Sequence, residues 1–293
     1  MKNNKYYRIL VPAIFLLFFF IVDVAAQQIG RGDPNALRIG VHRGNQVRTV
    51  FSNLGVIAQP GNQGPRGAWK FDNNGYVGDV SPLVGVKIPV DTNGDGIADK
   101  DTFSVVITNV SRPGGGDASP GGTAWTFQPI PGFFDELLDE EGKGVAMSHQ
   151  PETWPSVWPD QPTWVDEDGN AEWNGYFGRG QFNADQESYF WMDDNQDEKF
   201  FQRLGFLPDS TDPTRKGQAL QVAVRGMQWS NFLAQDVLFW LYDINNVGTF
   251  SNIDSIIFTG VSQDTNDLIE GSGYDKPPNV IIDNPDVSKK ITI

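Results

Sequence analysis

The sequence predicts an all-β protein: two antiparallel β-sandwich-like modules joined by an aromatic, proline-rich region that holds one short helix. Three observations carry that reading. The chain has 32 glycines and 19 prolines, and aromatic residues make up 12% of it, which suits short strands and tight turns better than long helices. Apolar residues alternate with period two in several stretches, so one face of each is buried. Asn-Gly, Asp-Gly and proline clusters recur between those stretches, where strands must turn.

At the start, Lys2, Lys5 and Arg8 precede an apolar run from Ile9 to Val22, and Val24-Ala25-Ala26 offers small side chains to a signal peptidase. Residues 1–26 therefore read as a signal peptide. The apolar run is broken by Pro12 and followed by Asp23, and it falls short of the roughly 20 residues that span a bilayer as a helix. No permanent membrane span is expected after cleavage. The chain has no cysteine, so neither lipid attachment nor a disulfide is available to it. Losing the signal segment takes the formal charge from −15 to about −17. Nucleic acid is excluded as a partner by that sign, whereas divalent cations are favoured.

Residues 27–44, which include Arg31-Gly32-Asp33, read as a polar, flexible leader. The N-terminal β-module covers residues 45–131, with strands expected at Val47–Phe51, Ala68–Phe71, Leu83–Val90, Thr102–Val110 and Thr123–Ile130. In the third of these, Val84, Val86, Ile88 and Val90 share a face. The connecting region is 132–212. Phe133, Phe134, Leu137 and Leu138 have helical spacing before Gly142 and predict the short helix. Trp154-Pro155-Ser156-Val157-Trp158-Pro159 is too proline-rich for a central strand and predicts an ordered aromatic loop. Asp168-Gly169, flanked by Trp164-Val165 and Ala171-Glu172-Trp173, predicts a local hairpin. In the C-terminal module, 213–293, Leu220, Val222 and Val224 alternate against Gln221, Ala223 and Arg225. Val237–Ile244 is apolar on both faces and predicts a central strand covered twice. Ile253–Val261 supplies a third strand.

The sharpest chemical motif runs from Asp91 to Asp101. Asp91, Asn93, Asp95 and Asp99 alternate as oxygen donors, Gly96 permits a bend, Ile97 offers a backbone carbonyl, and Asp101 closes the run. Hard Ca²⁺ takes such a set, and a structural Ca²⁺ is the expected cofactor. The competing reading is an Asx-rich hairpin turn between two strands. The run resembles the calcium loops of EF-hand, dockerin and thrombospondin type 3 repeats, but Thr102 stands where an EF-hand has its bidentate glutamate. Two weaker acidic groups follow. Asp166, Asp168, Asn170 and Glu172 fit a hairpin tip, and Asp193, Asp194, Asp197 and Glu198 fit a solvated loop.

Trp154, Trp158, Trp164 and Trp173, with Trp191 and, further along, Trp240 and Tyr242, are candidates for a ligand surface, since flat rings stack on the apolar faces of sugars; packing in the core is the default reading for large rings in a β-protein. Catalysis finds little support. Only His42 and His149 are present, so a multi-histidine zinc site is excluded, and no Gly-x-Ser-x-Gly elbow occurs. Glu152, Glu172 and Glu187 neighbour tryptophans, but they read as surface carboxylates rather than a glycosidase pair.

Several ordered stretches together resemble a known group. Trp154-Pro155 through Trp164, Glu172-Trp173-Asn174-Gly175-Tyr176-Phe177-Gly178, Ala184-Asp185-Gln186-Glu187-Ser188-Tyr189-Phe190, Ala223 through Ser230 and Phe239 through Ile244 resemble the amino-terminal part of large secreted bacterial surface proteins. Such proteins usually end in a type IX secretion sorting domain. The resemblance implies a secreted or cell-surface setting and carries no activity. This chain ends in Lys289-Lys290-Ile291-Thr292-Ile293, inside a plausible strand, and is expected to be a truncated frame, or periplasmic if complete. The expected function is a structural or interaction module with surface glycans or other envelope proteins as partners. The alternative is the carbohydrate-binding part of a secreted glycan-degrading protein.

Overall fold

The computed structural model describes residues 29–90, 93, 100–107, 118–138, 144–199, 206–249, 255–263, 279–283 and 289–292. The signal segment and the acidic residues Asp264, Asn266 and Asp267 lie outside them. The chain is all-β, as its composition predicts, and its strands pair antiparallel. In chain order they are β1 (Ile39–His42), β2 (Val47–Ser52), β3 (Val56–Ile57), β4 (Ala68–Trp69), β5 (Asp79–Val90) and β6 (Lys100–Ile107). There follow β7 (Gln128–Pro129), β8 (Ala146–Met147), β9 (Asn174–Gly175), β10 (Gly178–Arg179) and β11 (Gln186–Asp193). The last are β12 (Leu220–Gln228), β13 (Leu238–Asn246), β14 (Ser255–Gln263), β15 (Asn279–Asp283) and β16 (Lys289–Thr292). No helix among the described residues is long and apolar enough to cross a membrane.

These strands make two large sheets rather than two separate sandwiches. One has the order β1-β2-β3-β5-β14-β15, with β4 on β2 and β6 on β5; the other runs β16-β13-β12-β11-β7, with β8 also on β11. The expected division at 132–212 fails because β14 returns to pair with β5 over Ser81–Val86 and beyond, placing a C-terminal strand in the N-terminal sheet. A single core lies between the sheets. Phe51, Val84 and Val106 from the first meet Phe190, Val222, Trp240 and Tyr242 from the second. Phe51 packs edge-on to Trp240 at 5.0 Å and stacks with Phe190 at 6.2 Å. Gly40 is required beside that ring, since an added Cβ would meet it at 2.3 Å.

The leader is also ordered from residue 29. β1 pairs with β2, and Ile39 and His42 are buried. Gly32 donates its N–H to Asp193, Arg31 pairs with Asp212, and Asp33 caps a 3-10 turn at Pro34–Ala36. The Arg-Gly-Asp tripeptide is thus tied down by side chains distant in sequence, which local polarity does not reveal. The acidic group that includes Asp193 is buried rather than solvated: Asp193, Asp194 and Asp197 are each 1% exposed. Asp194 accepts from the backbone N–H groups of Gln218 and Leu220 at 2.7 and 2.9 Å, fixing the entry to β12.

The short helix after Phe133 does not form over the described residues. The Asp135 carboxylate accepts from the N–H of Leu137 and holds a turn, while Phe133 and Phe134 go inward and Leu137 is 91% exposed. The hairpin at Asp168-Gly169 does form. Gly169 has φ +85°, Val165 bridges Ala171, and Asp166 accepts from the N–H groups of Asp168 and Asn170. Its carboxylate is spent on the turn, as the hairpin reading requires.

His42 lies fully inside the core, with Nε2 3.0 Å from Ser188 Oγ and its ring against Phe51 and Trp240. Burial, and then nearby His149, push its pKa down to about 3, with Gln228 opposing. An unfolded histidine titrates near 6.5, so the folded state binds fewer protons below that value. Its stabilising effect is complete above about pH 6.5 and is lost as pH falls towards 3. Asp79 and Asp193, pushed up to about 6 by burial, act in the opposite sense, losing stability as pH rises through that value. His42→Gln should therefore be most costly at neutral pH, with the gap from the unmodified chain in urea unfolding narrowing between pH 7 and 4. A gap that stays constant with pH would refute the assignment.

Candidate functional site

The second sheet faces two ways because its side chains alternate. Phe190, Met192, Val222, Val224, Trp240 and Tyr242 enter the core between the sheets. The opposite face carries two rows set by strand register: Tyr189, Arg225 and Leu241 in one, Trp191, Ala223 and Asp243 in the next. Residues 130–138 and 148–182 form a third layer over part of this face. Its core joins Ile130, Phe133, Ala146, Trp158 and Trp173 to Tyr189.

Trp158 and Trp173, two of the candidates for a ligand surface, take the packing role: both are 0% exposed and pack edge to face at 5.7 Å. Their indole N–H groups are satisfied inside, by Glu172 O and by Glu187 Oε2 respectively. Trp154 is half-buried against Trp173 and donates to Met147 O. Of the candidate tryptophans, Trp164 and Trp191 border open space on this face.

That space is a cleft of about 400 Å³ where the third layer stops short of β13. β13 therefore buries Trp240, Tyr242 and Ile244 on the core side, while its other face is covered only in part. Ala223 lies between Trp191 and Asp243 in register, and its short side chain leaves the floor low. One wall is the turn bearing Asp160, Gln161 and Trp164. The other is the β9–β10 hairpin, with Tyr176 and Phe177 at its tip. Phe177 is 73% exposed and packs edge to face with Tyr176 at 4.9 Å. Gly175 is needed at the base of this hairpin, where a Cβ would fall 2.0 Å from Gln181 O.

A polar network holds the walls to the floor. Arg225 Nη1 donates to Glu187 Oε1 and to Asn174 O, both at 2.6 Å, and Nη2 donates to Asn174 Oδ1 at 3.0 Å. Its guanidinium lies 3.7 Å over the Tyr189 ring. Tyr189 OH donates to Asp160 at 2.5 Å and accepts from Trp191 Nε1 at 2.6 Å; Asn174 Nδ2 also donates to Asp160. Burial raises the pKa of Asp160, while the bonds from Tyr189 and Asn174 and the charge of Arg225 pull the other way. Burial likewise raises that of Glu187, opposed by Arg225, Trp173 and the Tyr176 N–H. Chemically, the cleft offers flat rings at its walls and floor, with carboxylate and amide oxygens between them.

The other predicted positions fall elsewhere. Asp91, Asp95, Ile97 and Asp99 lie outside the described residues, Asn93 is exposed, and Asp101 sits in β6 opposite Pro89. Among the described residues, no three His, Cys, Asp or Glu side chains are grouped to hold a metal ion. Glu152 is exposed and Glu172 pairs with Arg179, so neither Glu152, Glu172 nor Glu187 lines the cleft. Asp160 and Asp243 were missed as site residues. The available signal was the outward half of the alternation, Tyr189, Trp191, Arg225 and Asp243, which is more aromatic and polar than a solvated face needs. A second hollow, about 630 Å³, lies beside Val41, Arg43, His149 and Gln186 and has no tryptophan. Compared with family models, curated proteins and solved structures, the chain matches none of them.

Glu187 is fully buried and Arg225 nearly so, and removing one partner of such a pair strands the other charge. Arg225→Met should cost about 3–5 kcal/mol in urea unfolding, and adding Glu187→Leu should recover much of that loss. A double variant as unstable as the sum of its parts would show that the pair is not coupled.

Proposed function

We propose that this chain is an exported cell-surface interaction module that binds a glycan in the cleft above β11–β13, with no reaction assigned to it. The observation that carries this reading is the composition of one concave site: Trp164, Trp191, Tyr176 and Phe177 beside Asp160 and Asn174. Aromatic faces match the C–H faces of sugar rings, and carboxylate and amide groups match their hydroxyls. The exposed Phe177 supports it, since its ring stands at the rim of the concave site where a sugar face could meet it. The signal-like amino terminus supports the setting.

Titration of the purified chain with soluble oligosaccharides should change tryptophan fluorescence. Trp191→Ala and Trp164→Ala should each weaken binding by roughly tenfold, equivalent to about 1.4 kcal/mol. Unchanged binding in both variants would remove the cleft as the site.

The proposal includes a structural Ca²⁺ on the segment 91–101. Support comes from its alternating oxygen donors and from the pairing of Val90 with Lys100, which brings the two ends of that segment together. Calcium should raise the melting temperature, chelator should lower it, and Asp95→Ala should abolish both effects. A melting temperature indifferent to both additions would leave the segment as a turn.

A further inference from the structure

We infer that the cleft selects by charge, accepting neutral and amino-bearing sugars and rejecting uronate and sulfated ones. This deepens the glycan reading and rests on it. Among the described residues lining the cleft, Asp160 and Asp243 are acidic and Arg225 is basic. Arg225 does not offer its charge to a ligand. Glu187 lies against it at 2.6 Å, both terminal nitrogens donate to the protein, and its flat face rests on Tyr189. Lys290 stands opposite Asp243 in the register of β13 and β16. Even with Lys290 counted beside Arg225, the three carboxylates of Asp160, Asp243 and Glu187 leave a negative excess.

An anionic sugar would bring its carboxylate or sulfate next to Asp160, which already lies partly out of water and is screened less than a surface charge. Asp160 accepts all its present bonds, from Tyr189 OH and Asn174 Nδ2, so it turns no donor towards such a group. A hydroxyl or an ammonium, in contrast, supplies the donor that a carboxylate oxygen takes. The ammonium bond is the stronger because both groups are charged. The order of preference follows as amino sugar, then neutral sugar, then uronate.

The test compares three soluble probes of equal length on the purified chain by calorimetry: chitosan oligomers, neutral gluco-oligosaccharides and oligouronates. The expected result is chitosan binding tightest and oligouronate at least tenfold weaker than the neutral probe, with both gaps narrowing as salt is raised. Asp160→Asn and Asp243→Asn, measured separately, should each narrow the gap between chitosan and the neutral probe. Oligouronate bound as tightly as the neutral probe would overturn this inference and leave the glycan reading standing. Failure of all three probes to bind would overturn the glycan reading itself.

Discussion

The buried pairing of Glu187 with Arg225 joins the layers of this molecule. The two residues sit on neighbouring strands of the second sheet, Glu187 on β11 and Arg225 on β12, with a 2.6 Å bond between them. Taking both charges out of water is costly, and the cost is offset only when the remaining donors and acceptors are also satisfied. Here the third layer satisfies them. Trp173 Nε1 and the Tyr176 N–H donate to Glu187, while the backbone and side-chain oxygens of Asn174 accept from Arg225. The pair therefore fixes the β9–β10 hairpin on the sheet and, with it, one wall of the cleft. A charge pair hidden under an aromatic layer thus sets the geometry of an open site.

The rest of the architecture follows from side-chain alternation in a sheet that is covered unequally on its two faces. On β11 and β12, Phe190, Met192, Leu220, Val222 and Val224 pack between the sheets, and Tyr189, Trp191, Ala223 and Arg225 meet the third layer or the cleft. With no cysteine to cross-link it, the molecule uses buried carboxylates to tie its irregular segments. Asp193 holds Gly32 near the amino end of the described chain, and Asp194 holds Gln218 and Leu220. Bonds from backbone amides favour the charged form of a carboxylate. Burial still wins over those bonds in the titration of Asp194, whose pKa is raised well above the usual carboxylate range.

Strand content was legible wherever a pattern was local. Leu220, Val222 and Val224 pointed inward as their alternation requires, and Asp168-Gly169 turned the chain as its residue types require. Features that depend on distant partners were not legible. β1 is short, ends in His42 and contains Gly40, and only pairing with β2 and the packing of Phe51 make it a buried strand. The two-module division failed for the same reason: nothing near β14 announces that it joins β5. Phe133 and Phe134 had helical company in Leu137 and Leu138, but the Asp135 side chain competed for the backbone N–H a helix would need. Of the tryptophans that could serve either the core or a binding surface, Trp158 and Trp173 went to the core and Trp164 and Trp191 to the cleft.

By itself, then, the sequence determined the all-β character, the absence of disulfide support, the inward and outward faces of its principal strands and the placing of a tight turn. Each of these follows from composition or from a pattern a few residues long. Tertiary structure alone decided which aromatic rings are core and which are open, and which carboxylates are buried. It also decided that Asp160, Arg225 and Asp243 border one space. An indole or a carboxylate has the same local preference in either place. Its fate is set by how much of it the other sheet and the overlying layer remove from water, and that covering comes from residues far along the chain.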